Sequence, residues 1–270
     1  LAYIAAGTTH IRVGSGGVML PNHAPLVIAE QFGTLESLYP GRIELGVGRA
    51  PGTDQMTARA LRRDLLGSDD RFPQDVRELQ HYFGPIQEGQ VVKAIPGANT
   101  NVPIWILGSS LYGAQLAAHF GLPYAFASHF APDQLLEAMS IYRELFKPSE
   151  QLSTPYCAFV VNVVAADTDD EAAHLFTSLQ QNVVRMRRNT RGQLPPPIAN
   201  LDEFCEPHEQ AAAAHQLQCS IVGSLETVKK EMRHWLDKTG ANEIIYTGQI
   251  FDHQARLKSF EIAAQAAQSL

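Results

Sequence analysis

Short apolar, β-branched runs alternate along the whole chain with longer segments whose apolar positions recur every three to four residues. That alternation predicts βα units and a parallel sheet, whose strands are buried on both faces and therefore read as near-continuous apolar runs. Strands are expected at 11–15, 43–47, 104–107, 124–127, 156–164 and 243–247. Helices are expected at 25–38, 73–83, 111–120, 132–146, 169–188 and 253–267. A further surface helix at 224–238 opens on Ser224, a capping residue type, and continues in charged periodicity. The first of these helices closes at Tyr39-Pro40-Gly41, where proline stops the helix and glycine frees the turn.

Two stretches interrupt the pattern. Residues 84–100 are rich in Gly, Pro and polar residues, with 91–95 as a candidate hairpin, and 192–207 carry three consecutive prolines, Pro195 to Pro197. The second stretch is neither regular helix nor central strand and is expected to be a long excursion. The reading is one domain over 1–270 with insertions near 84–100 and 192–207. Two architectures fit, a doubly wound open sheet and an eight-stranded (β/α) barrel without its first two strands. The chain begins at Leu1, and LAYIAAGTTH reads as the last turns of a helix entering a connection, which favours the barrel.

Composition narrows the chemistry. A formal charge of -7 argues against a nucleic-acid groove, which needs clustered Lys and Arg. The densest basic stretch, Arg185, Arg187, Arg188 and Arg191, reads as the solvated end of a helix. Three cysteines without C-x-x-C spacing make neither a disulfide framework nor a zinc site. No apolar run reaches the roughly 18 residues that span a bilayer, and none resembles a signal peptide. A cytoplasmic protein is expected.

In either architecture a ligand sits beyond the C-terminal ends of the strands. The first strand leads into Gly14-Ser15-Gly16-Gly17-Val18-Met19, which lacks the third glycine of a dinucleotide fingerprint. Its glycines make either a tight turn or a bare backbone on which a flat ring can lie. The second strand ends Gly46-Val47-Gly48-Arg49, and an arginine there needs either a carboxylate such as Asp54 or an anionic ligand. The third ends Gly108-Ser109-Ser110-Leu111-Tyr112 and enters a helix. A serine there is commonly a cap, but the same turn offers free N–H groups, hydroxyls and the positive end of a helix dipole to a phosphate. These features converge on a phosphorylated ligand.

Other templates fail. There is no Walker A sequence, no G-x-S-x-G elbow and no second histidine completing a zinc-protease motif after His208-Glu209. His129, just past a strand end, is either a structural histidine or a catalytic one, and is taken as a candidate substrate contact. Gln249 and His253 either touch a ligand or cap the last helix.

The segments SGGVMLPNHAPLVIAEQFGTLESLYPGRIELGVGRAPGTD and PIWILGSSLYGAQLAAHFGLPYAFASHF, with IVGSLETV and EIIYTGQIFDHQARL, resemble the bacterial luciferase-like monooxygenase family over essentially the whole chain. The resemblance implies a (β/α)8 TIM barrel that binds FMN at its C-terminal mouth. It implies a non-prolyl cis peptide at Gly16-Gly17, phosphate contacts from Arg49 and from Gly108, Ser109, Ser110, Leu111 and Tyr112, and Ser128 packed beside the flavin ring. His129 then falls on the substrate side. The family's first two strands, and a histidine at the end of the second, have no counterpart in this chain. No catalytic residue is therefore assigned. A barrel without two strands exposes parallel edges, so weak stability or weak flavin binding is expected of this chain alone.

The activity implied is oxygenation of a small organic substrate with reduced FMN and O2. A separate flavin reductase is expected, because no nicotinamide fingerprint is present, and the family suggests a homodimer. Nucleic-acid, membrane and metal partners are not expected. Two alternatives stay open: hydride transfer with a deazaflavin (F420), and a non-catalytic flavin-binding subunit.

Overall fold

The computed structural model describes every residue except Asp54, 62–67 and 191, and leaves aside the side chains of 55, 58, 59 and 68–70. In chain order the elements are α1 (Ala2–Ala6), β1 (Val13–Met19), a 3-10 turn (Leu20–Asn22), α2 (Pro25–Leu38), β2 (Ile43–Gly48), α3 (Gln55–Leu61), α4 (Ser68–Phe83), β3 (Ile104–Gly108), α5 (Leu111–Phe120), β4 (Tyr124–Phe126) and α6 (Leu135–Leu145). They continue as β5 (Cys157–Ala165), α7 (Asp169–Arg187), a second 3-10 turn (Leu201–Glu203), α8 (Pro207–Gln216), β6 (Ser220–Gly223), α9 (Leu225–Thr239), β7 (Glu243–Thr247) and α10 (His253–Ala267). Two compact units result, one comprising Leu1–Gly108, Tyr112–Ala125 and Ile141–Pro155, the other Ser109–Leu111, Phe126–Ser140 and Tyr156–Leu270.

In the first unit β1, β2 and β3 run parallel, with Val13 beside Ile43 and Leu45 beside Ile104. Ile43, Leu45, Val47, Ile104 and Ile106 are all buried, as expected of parallel strands covered on both faces. Ile28, Ala29 and Phe32 of α2 face inward, and so do Val76, Leu79 and Phe83 of α4. Arg42 closes the approach to β1 by donating to the carbonyls of Ala5, Thr8 and Ile11.

Residues 91–95 form no hairpin. Val91 is 93% exposed, whereas Ala94 is buried and the Cα of Gly97 lies so close to Gly33 of α2 that a Cβ on Gly33 would come within 2.2 Å of it. The excursion is pinned to a helix instead of pairing as a strand. The helix expected from Pro73 starts earlier, at Ser68, with Pro73 inside it. Buried Phe72 anchors the added turn.

In the second unit β5 lies between β6 and β7, parallel to both. Leu179, Val183, Val184, Cys205, Ala213 and Leu217 form a core between α7 and α8. Strand β6 and helix α8 were not expected from the pattern, because β6 is only four residues long and α8 is alanine-rich. Thr168 caps α7 by accepting from the Glu171 N–H. Ser224 makes no side-chain cap on α9; Asp169 accepts the Ser224 N–H at 2.6 Å instead. Arg191 of the basic stretch lies outside the described residues. Arg188 is paired with Glu209 rather than merely solvated. Among the described residues no helix is long and apolar enough to cross a membrane.

Candidate functional site

The glycines of β1 sit where its pairing with β2 breaks register, between Ser15 and Val18, and the Gly16-Gly17 peptide is cis, as the resemblance implied. The two glycines face different surroundings. A Cβ on Gly17 would lie 2.4 Å from Leu107 Cδ1 and 2.7 Å from the Gly46 carbonyl oxygen, so the Gly46 backbone and the Leu107 side chain close on Gly17 only because it lacks a side chain. A Cβ on Gly16 would meet nothing within 4 Å. This strand end therefore presents an open, side-chain-free face on a close-packed support.

Arg49 follows β2 directly and is exposed. Its guanidinium carbon lies 4.3 Å over the ring centre of Tyr112, in the first turn of α5. Such stacking at an exposed site contributes about 0.5–1 kcal/mol and engages the flat face of the guanidinium, leaving the in-plane N–H donors free to point at an anion. Among the described residues no carboxylate pairs with Arg49. Asp54, the candidate ion partner, lies outside them.

The turn between β3 and α5 closes tightly. A Cβ on Gly108 would stand 3.5 Å from Gly113 Cα and 3.7 Å from the buried Tyr124 ring. Ser109, Ser110 and Leu111 remain part-exposed. Ser110 stands just ahead of the first α5 residue, where backbone N–H groups lack helical partners.

In the second unit, Ser128 is fully buried and donates its hydroxyl to the Val160 carbonyl at 2.5 Å. That bond ties the end of β4 to β5. The neighbouring His129 is half-buried, with Nδ1 buried and without a hydrogen-bond partner among the described residues. Burial pushes its titration below the ordinary 6.5. Asn162, in the middle of β5, donates to the His129 carbonyl at 2.8 Å.

Asn162 was missed from sequence, although a lone amide within Phe159-Val160-Val161-Asn162-Val163-Val164 was a signal, because a buried polar group needs a partner. Asn22 was missed too. It is buried after β1 and donates to the Pro51 carbonyl at 2.8 Å, fastening the loops after β1 and β2, and its Oδ1 has no partner among the described residues. The last helix is capped by Asp252, which accepts the Ala255 N–H, and not by Gln249 or His253.

The structure thus joins Arg49 with Tyr112 in one unit and Ser128 with His129 in the other. A cavity of about 640 Å³ lies elsewhere, lined by Phe83, Asn101, Ile104, Glu150 and Gln151. It opens at the N-terminal end of β3, the end that serves stability in parallel α/β folds, so it is not the candidate site. A smaller one of about 330 Å³, beside α7 and α8, is lined mainly by apolar residues and Cys205. Cys205 is one of three buried free thiols, and burial raises its pKa, which makes it a poor nucleophile.

Comparison with known proteins completes the picture. The chain is 54% identical over 270 residues to a luciferase-like monooxygenase of Escherichia coli K12, covering 100% of this chain and 81% of the relative. The solved structure of apo-MsnO8 matches with a TM-score of 0.91 at 35% identity, covering 99% of this chain and 81% of that one. Two distant structures share the fold alone. The oxygenating constituent of 3,6-diketocamphane monooxygenase from Pseudomonas putida, in complex with FMN, matches with a TM-score of 0.70 at 17% identity, covering 100% of this chain and 82% of that one. An F420-dependent secondary alcohol dehydrogenase matches with a TM-score of 0.67 at 14% identity, covering 98% and 82%. The fold class is accordingly that of the (β/α) TIM-barrel monooxygenases. The luciferase-like monooxygenase family model matches residues 1–243, and the chain belongs to that family.

Proposed function

We propose that this chain binds FMN at the C-terminal ends of its strands and oxygenates a small organic substrate with reduced flavin delivered by a separate reductase, as a cytoplasmic homodimer. The observation that carries the reading is Arg49, held face-on to Tyr112 at a strand end with no carboxylate partner among the described residues. A guanidinium so held suits a phosphate, which takes two parallel N–H donors. The open face at Gly16 suits a flat ring that a Cβ would push away. The residues present therefore fit FMN.

Reduced FMN, when bound, supplies the two electrons that let one atom of O2 enter the substrate while the other leaves as water. The protein's own part is binding and positioning. Arg49 holds the phosphate, with the N–H groups and hydroxyls of Gly108, Ser109, Ser110 and Leu111 as further donors. Tyr112 keeps Arg49 in place. Gly16 and Gly17 let the ring lie against backbone. Within the second unit, Ser128 and Asn162 fix the segment that carries His129.

Titrating oxidised FMN and riboflavin against the protein by flavin fluorescence tests this reading. FMN should bind about tenfold or more tightly than riboflavin, and the preference should vanish in Arg49→Ala. Equal binding of both ligands by the unaltered protein would sink the phosphate site. A deazaflavin is the second reading, favoured by the F420-dependent fold neighbour. Tight F420 binding with no FMN preference would select it.

A further inference from the structure

Arg49 stands where the pairing of β1 with β2 runs out. Met19 lies beside Gly48 at the end of the ladder, and beyond that pair β1 enters the turn Leu20–Asn22 while β2 enters the loop that begins with Arg49. The two sides of this junction are unlike. Leu20, Pro21 and Asn22 are buried and form a fixed base, whereas Arg49, Ala50, Gly52 and Thr53 are exposed. A long side chain on an exposed loop is held only as well as the loop itself is held.

Two contacts fasten that loop to the buried turn. The Asn22 amide donates from Nδ2 to the Pro51 carbonyl at 2.8 Å, two residues past Arg49. The Met19 thioether lies against Gly52, which has a φ of +66° and where a Cβ would come within 2.1 Å of Met19 Sδ. Arg49 is thereby bracketed by the Met19–Gly48 pair on one side and the Asn22–Pro51 bond on the other. Among the described residues no other hydrogen bond reaches residues 50–53. The amide is also held at a cost, because its Oδ1 is buried with no partner among the described residues. A buried amide that satisfies its donor and leaves its acceptor unmet is there for the donor.

We propose that Asn22 is a positioning residue: by holding the Pro51 carbonyl it keeps the Arg49 backbone where the guanidinium lies over Tyr112, ready for the flavin phosphate. Asn22, Arg49, Pro51 and Tyr112 all belong to the first unit. The phosphate contact rests on the reading of Arg49 proposed above, whereas the placing of Arg49 over Tyr112 does not. Asn22 acts through Arg49, so its effect on binding follows the fraction of molecules in which the guanidinium is in place.

Asn22→Ala removes the donor and is tested by titrating FMN and riboflavin. It should weaken FMN about fivefold and leave riboflavin unchanged, as expected if Arg49 is then in place about a fifth of the time. In an Arg49→Ala background the same substitution should change neither affinity. A tie that served stability alone would lower the melting temperature and leave the ratio of the two affinities as it was. The arginine is also read directly, in flavin-free protein labelled with ¹⁵N-arginine. The Arg49 Nε–H proton, assigned by its loss in Arg49→Ala, should stand upfield through the ring current of Tyr112. It should return toward the position of an exposed arginine in Asn22→Ala, as in Tyr112→Ala. If Asn22→Ala does not fold, Asn22→Asp, of the same size and without an N–H at pH 7, takes its place.

Three results overturn the inference: an FMN preference that survives undiminished in Asn22→Ala, an equal loss of FMN affinity in the Arg49→Ala background, or an Arg49 proton that stays upfield in Asn22→Ala. If the unaltered protein binds FMN and riboflavin alike, the phosphate reading fails, and the Arg49 resonance in Asn22→Ala still decides whether Asn22 places the arginine.

Discussion

Of the arginines that lie over aromatic rings, Arg188 of the second unit and Arg49 of the first make a contrast, because among the described residues only Arg188 has a carboxylate to hold. Arg188 sits 5.3 Å over Phe204 and donates to both Glu209 oxygens and to the Phe204 carbonyl. Arg49 sits 4.3 Å over Tyr112, and no carboxylate among the described residues meets it. The same stacking geometry thus serves two ends. Where the in-plane donors find partners within the chain, as at Arg188, the side chain is a structural tie between α7 and the segment leading into α8. Where no such partner stands among the described residues, as at Arg49, the donors suit the anion proposed above.

The sharpest way to break that contrast is to remove each arginine. Arg49→Ala should weaken FMN binding by about 10- to 100-fold, or roughly 1.4–2.8 kcal/mol, with riboflavin affinity and melting temperature unchanged. Arg188→Ala should leave both flavins alone and loosen α8, seen as faster amide exchange there. If the two variants changed FMN affinity equally, the distinction between a tie and an anion site would fall.

Smaller changes sharpen the same line. Ser128→Ala removes a buried hydroxyl whose hydrogen bond is local to the second unit. It should cost about 1 kcal/mol of stability in chemical denaturation without altering the ratio of FMN to riboflavin affinity. A changed ratio would mean that Ser128 touches the cofactor after all. Tyr112→Ala should weaken FMN by roughly two- to fivefold, the value of an exposed cation–π contact, while Tyr112→Phe should bind nearly as the unaltered protein does. Loss in the phenylalanine variant would point to the hydroxyl instead of the ring face.

Much of this was legible in the chain itself, for identifiable reasons. The ends of α2, α5, α10 and β7 coincide with their expected limits because proline, glycine or a capping residue marks them in a strongly periodic context. Arg49 was legible because a charge directly beyond a buried strand demands an explanation. Tyr112 entered through the resemblance alone, and its place over Arg49 could not be read, since the two are far apart in sequence. Asn162 and Asn22 went unread because their partners, the carbonyls of His129 and Pro51, belong to other segments. The capping of α9 by Asp169 escaped for the same reason: local pattern pointed to Ser224, and a residue 55 positions away does the work. Elements mark themselves locally, whereas the ties between them are tertiary.

The smallest effect expected concerns acid. Glu209 accepts from Arg188 and from the Glu206 N–H, which hold its carboxyl down to about 2 from an ordinary 4.5. Because its folded value is depressed, the stability it contributes is fully present above 4.5 and is lost as pH falls toward 2. Protonation undoes the ion pair and weakens the capping box at the start of α8 together. Amide protection in α8 should therefore decline across that window in the unaltered protein. In Glu209→Gln, protection should start lower and stay level. High salt should shrink the difference, since the pair is solvent-accessible and screened. The expected contrast is that Arg49, with no carboxylate to lose among the described residues, keeps its place over Tyr112 through the same titration, so the tie between α7 and α8 loosens in acid while the proposed anion site does not. An acid-induced decline of equal size in Glu209→Gln would show instead that α8 is held by its buried apolar face alone.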